Sequence, residues 1–86
     1  MIKGVTKSGF RFEISDKALD DYELLELMAD VDSNALLVPK VFEKLLGKKQ
    51  KYNLIGFLKK KDGYASTEKM TKLLEEILTS NQKLKN

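Results

Sequence analysis

The sequence predicts an α+β domain, mostly helical, in which an N-terminal β-hairpin is followed by three to four amphipathic helices. Two patterns carry this. Phe10, Phe12 and Ile14 alternate with Arg11 and Glu13, the period of a half-buried strand. From residue 20 onward the apolar residues recur instead at helical spacing, in stretches separated by Ser-Asn, Gly and Asp-Gly breaks. A chain of 86 residues has room for one small core and not two. The domain is therefore placed at 1–80, with 81–86 as a frayed tail.

The hairpin comes first. Lys7, Ser8 and Gly9 supply its turn, with Gly9 able to take a positive φ. The partner strand, over 2–6, is the weaker of the two because Gly4 interrupts it. Asp20 or Asp21 then caps a helix that runs to Val31 or Asp32, since a carboxylate there accepts from free N–H groups of the first turn. Its apolar set is Tyr22, Leu24, Leu25, Leu27, Met28 and Val31, while Glu23, Glu26 and Asp30 share the opposite face. Ser33 and Asn34 break the helix, and ALLV at 35–38 reads either as a short helical turn or as an extended linker. Pro39 suits a first helical turn, and the stripe Val41, Phe42, Leu45, Leu46 follows until Gly47 ends it. The next helix, over about 49–60, presents Leu54, Ile55, Phe57 and Leu58. It closes on Lys59, Lys60 and Lys61, where the helix dipole favours cations. Asp62-Gly63 is a turn signal, and Ser66 or Thr67 caps the last helix. Met70, Leu73, Leu74, Ile77 and Leu78 give that helix the most regular apolar stripe in the chain.

Composition removes several chemistries. Histidine and cysteine are both absent, which excludes disulfides, zinc sites built on thiolate or imidazole, and Cys-His or Ser-His-Asp nucleophilic sites. No apolar run approaches the roughly 18 residues of a membrane span, and MIKGVTKSGF lacks an apolar signal-peptide core. The chain is therefore expected in the cytosol when made.

The net charge of +3 is unevenly spread. Eight acids and one lysine leave 13–32 at −7, whereas eight lysines and two acids leave 33–63 at +6. Such a chain either folds one segment against the other or attracts a second copy, so self-association is expected.

The stretch DDYELLELMADVD, starting at Asp20, is the densest acidic run. Its acids lack the loop pattern of a calcium site, and carboxylates along a helix face do not converge on one ion. The physical reading is a solvated helix face that also offers a charged rim to a basic partner. Nothing marks a buried acid of raised pKa, as paired-carboxylate catalysis requires. The lysine groups at 48–51 and 59–61 bracket one helix and are placed to meet phosphates. With one arginine in the chain and no helix-turn-helix spacing, a nucleic-acid-binding regulator is the second reading. The glycines are scattered and form no phosphate-cradling loop.

Taken in order, KSGFRFEI, DDYELLELMADVDS, VPKVFEKLLG and LKKKDGY, followed by the amphipathic C-terminal helix, resemble the small tail assembly chaperones of long-tailed, siphovirus-type bacteriophages and prophages of Gram-positive hosts. The similarity covers about residues 6–78. The resemblance implies a non-enzymatic protein without cofactors. It implies a helical client, the tape measure protein, with the tail tube protein as a further partner. Such a factor acts in the bacterial cytoplasm and is absent from the mature virion. On this reading the client contacts are Leu74 and Leu78 of the last stripe, with Leu84 extending it, and Glu23, Glu26 and Asp30 form the charged rim.

Overall fold

The computed structural model describes residues 1–79 of the chain. The elements are β1 (Ile2–Val5), β2 (Arg11–Ile14), α1 (Asp16–Leu19), α2 (Tyr22–Val31), a 3-10 turn (Ala35–Leu37), α3 (Val38–Asp62) and α4 (Thr67–Thr79). This is a small α+β domain with a two-stranded hairpin ahead of its helices. The expected tail at 81–86, and Leu84 with it, lies outside the described residues.

The strands are antiparallel, with Gly4 opposite Phe12 and Lys3 opposite Glu13. Gly9 takes a φ of 100° in the turn. Thr6 closes that turn: its N–H donates to Phe10 O at 2.9 Å, and its hydroxyl accepts from Phe10 N at 3.0 Å. This satisfies a threonine that is itself buried. Phe10, Phe12 and Ile14 all point inward, as the alternation predicts. Gly4 is required by packing rather than by backbone conformation. A Cβ at that position would run into the Phe12 ring, which rests across the glycine.

α1 is an addition to the sequence reading. Ser15 caps it, its hydroxyl accepting from Ala18 N at 3.1 Å, and Ala18 is buried. α2 starts on Asp21, as expected. The structure corrects its inner face. Leu24 is buried and Leu27, Met28 and Val31 are half-buried, but Tyr22 is 71% and Leu25 56% exposed. At about 100° per residue, Leu25 and Tyr22 are rotated off the stripe set by Leu24, Met28 and Val31.

The two middle helices are one element, α3, broken where the sequence placed the stop. Gly47 has φ 84° and ψ 160°, which separates an arm over 38–46 from an arm over 48–62. Pro39 sits in the first turn, and Gly63 caps the end at φ 87°, its N–H donating to Lys59 O at 2.8 Å. ALLV resolves as the 3-10 turn running into the first arm, with the Asn34 side chain accepting from Leu36 N at 3.1 Å. Ser66 begins α4: its carbonyl accepts from Met70 N at 2.9 Å.

Both arms of α3 feed one core. Val41, Phe42, Ile14, Leu54 and Ile77 have no exposed surface, and they cluster with Phe12, Leu24, Leu45, Leu58, Leu73 and Leu74. Phe10 and Phe57 add a tilted ring contact with centroids 5.6 Å apart. No helix among the described residues is long and apolar enough to cross a membrane.

The break at Gly47 is tied to the hairpin by Gln50. Its Nε2 donates to Leu46 O at 2.8 Å and to Glu13 O at 2.7 Å, and its Oε1 accepts from Glu13 N at 2.7 Å. The side-chain amide thus occupies the place of a neighbouring strand's peptide group along β2.

Two substitutions test the hairpin packing. Phe12→Ala is expected to destabilise the domain by about 3–5 kcal/mol, read as a lowered denaturation midpoint. Gly4→Ala is expected to destabilise through the Phe12 ring, so its penalty should shrink in a Phe12→Leu background. Equal penalties in both backgrounds would place the clash elsewhere.

Candidate functional site

The acidic segment is partly neutralised inside the fold. The Asp21 carboxylate caps α2, accepting from Glu23 N at 2.9 Å and from Leu24 N at 3.4 Å. Lys44, from the first arm of α3, reaches Glu23 Oε1 at 2.8 Å and Asp21 Oδ2 at 3.4 Å. Partial loss of water works against the Asp21 charge, but the two backbone N–H groups and the Lys44 ammonium outweigh it and hold the carboxyl below its usual range. The hydrogen bond to Glu23 leads in holding Lys44 above its usual range, against its own partial loss of water. Of the expected rim, Glu23 is therefore engaged within the chain, whereas Glu26 and Asp30 lie exposed on the outer side of α2. Among the described residues no group of three or more His, Cys, Asp or Glu side chains is placed to hold a metal ion.

The C-terminal stripe is more deeply used than expected. Leu74 is 3% exposed and belongs to the core, together with Leu73 and Ile77. A residue at the centre of the stripe of α4 packs inward with Leu54 and Leu58, so it has little surface to offer a partner. Leu78, one turn further on, is half-buried and keeps an open edge.

The open apolar surface lies elsewhere, around the 3-10 turn. Leu36 is 85% exposed there. Beside it is an open groove of about 320 Å³ whose lining includes Val38, Pro39, Phe42, Ile55, Ala65 and Met70. The groove joins the start of α3, its second arm and the start of α4, regions brought together only by folding. Val38 and Phe42 are also core residues, so the groove floor is the outer side of the core itself.

Sequence reasoning passed over this surface. The available signal was three consecutive apolar residues, Ala35, Leu36 and Leu37, ahead of a helix start. A single 3-10 turn cannot turn all of them inward, because successive side chains there point in different directions.

A different surface runs between β2 and the second arm of α3. Lys3, Arg11, Lys48 and Lys49 line it, with Glu13 as its acid. No family model, curated protein or solved structure matches this chain.

The Asp21 cap carries a pH signature. A carboxyl whose pKa is lowered by folding adds stability that is fully present above its ordinary value of 3.8 and is lost as the pH falls through the folded-state value. Asp21→Asn keeps a capping side chain but removes the charge. Acid unfolding of this variant should show a flatter loss of stability than the parent as the pH falls below the ordinary carboxylate value of 3.8. An unchanged acid limb would mean that Asp21 does not govern it.

Proposed function

We propose that this protein is a non-enzymatic assembly chaperone that holds an amphipathic helix of a phage tape measure protein. The reading rests on the ordered resemblance of residues 6–78 to tail assembly chaperones. The observation that carries it is the open apolar groove beside Leu36. A chaperone for a helical client needs apolar surface that is accessible in the folded state and rimmed by charge that keeps it soluble. The groove supplies the first, with Lys51 at its edge, and the exposed acids Glu26 and Asp30 of α2, outside the groove lining, add charge that keeps the body soluble.

An amphipathic helix fits the surface by chemistry. Its apolar residues, three and four positions apart, would meet Leu36, Ile55 and Met70, and its polar face would stay in water. Leu78 extends the contact only as a secondary edge, because Leu74 beside it is committed to the core. The acids of α2 act on the rate of encounter more than on residence time. Host cytoplasm is the site of action on this reading, and the tail tube protein is the further partner.

Co-expression with a tape measure fragment, followed by pull-down, tests the proposal. The parent chain should retain the fragment in the soluble fraction. Leu36→Asp should lose it while leaving the circular dichroism spectrum unchanged, since Leu36 contributes little to the core. Glu26→Lys should weaken capture mainly at low salt. A fragment that is equally soluble alone and is never retained would overturn the reading. Self-association belongs to the same proposal, and sedimentation at low salt should show a species larger than the monomer that salt dissociates.

A further inference from the structure

The hairpin leaves one residue of β2, Arg11, with its outward N–H and C=O unpaired in a basic setting. Antiparallel pairs alternate between those that exchange main-chain hydrogen bonds and those that do not. The Thr6 N–H to Phe10 O bond sets the alternation. Gly4 with Phe12 and Ile2 with Ile14 are then the bonded pairs, and Arg11 and Glu13 direct their N–H and C=O groups away from β1. The Glu13 N–H donates to Gln50 Oε1 and the Glu13 carbonyl accepts from Gln50 Nε2, in agreement with this. Gln50 seals the Glu13 unit only. Neither main-chain group of Arg11 has a partner among the described residues.

That open unit borders a groove of about 840 Å³ whose lining includes Arg11, Lys48, Lys49, Gln50 and Asn53. Glu13, its one acid, already faces Lys3 at 3.7 Å. Arg11, Lys48 and Lys49 have no carboxylate within ion-pair distance among the described residues. Lys48 and Lys49 also open the second arm of α3, the helix end at which cations are disfavoured. An anion in the groove would relieve both conditions.

We propose that the β2 edge at Arg11 is a docking site for an extended, acidic polypeptide segment, distinct from the apolar groove beside Leu36. The segment adds a short strand: its main chain pairs with the N–H and C=O of Arg11, and its carboxylates meet Arg11, Lys48 and Lys49. Two observations favour polypeptide over nucleic acid. A phosphodiester accepts hydrogen bonds but has no donor for the Arg11 carbonyl. The aromatic residues that line the groove, Phe10 and Phe12, are buried and give bases nothing to stack on, and the exposed Tyr52, outside the lining, already holds Lys51 Nζ over its ring at 4.6 Å.

The probe is a fluorescein-labelled peptide of alternating Thr and Glu, followed by anisotropy and by amide hydrogen exchange of the full chain. Binding should slow exchange at the Arg11 amide. Arg11→Glu combined with Lys49→Glu should weaken binding about tenfold or more, each tenfold being about 1.4 kcal/mol, with an unchanged circular dichroism spectrum. A fully N-methylated peptide of the same charge should not bind. Equal binding of the methylated peptide would reduce the effect to charge alone and overturn strand addition. Binding of an oligo-dT strand in place of the acidic peptide would overturn the choice of partner. Absence of binding by the parent chain at low salt would overturn the site itself.

Discussion

Burial of the hairpin's apolar face against α3 is the constraint on which the remaining structure depends. A two-stranded hairpin is marginal in water by itself, and this one has Phe10, Phe12 and Ile14 on one face. α3 packs against β2, α1, α2, the 3-10 turn and α4. It serves so many neighbours because it is broken. A straight helix presents one apolar stripe, whereas Gly47 redirects the chain so that Val41, Phe42 and Leu45 belong to one arm and Leu54 and Leu58 to another. Gln50 then fastens the break to β2, so the hairpin and the bend hold each other in place.

The local devices of this fold were legible because each depends on a few neighbouring residues. Phe10, Phe12 and Ile14 alternate, Gly9 and Gly63 mark turns that require positive φ, Pro39 marks a first helical turn, and Asp21 marks a cap. α1 escaped because four residues are too few to show a period. The Gln50 clip spans 37 positions to Glu13, and no local pattern announces it. How much of each apolar face stays open was less legible, for a related reason. Amphipathicity says which face of a helix is apolar, but tertiary packing decides how much of that face is covered. It covers Leu74 and leaves Leu36 open.

The charge distribution is divided in its use. Lys44 draws the start of α2 onto α3, so part of the segregation between acidic and basic segments is consumed in folding, while Lys51 meets Glu43 at 3.5 Å within the basic segment itself. What is left forms separate surfaces: an acidic outer side on α2, a basic channel beside β2, and an apolar groove at the 3-10 turn. Three chemically distinct faces thus share one small body.

α2 is the most lightly anchored of the longer helices. Leu24 is its one buried side chain, and the Lys44 pairs hold its first turn from outside. Proteins open in cooperative units of unequal stability, and the unit with the fewest buried contacts opens at the lowest free energy. By fully buried side chains α2 has the fewest of the longer helices, so opening it would uncover the seat of Leu24 and the half-buried Leu27, Met28 and Val31 while the hairpin, α3 and α4 keep their shared core.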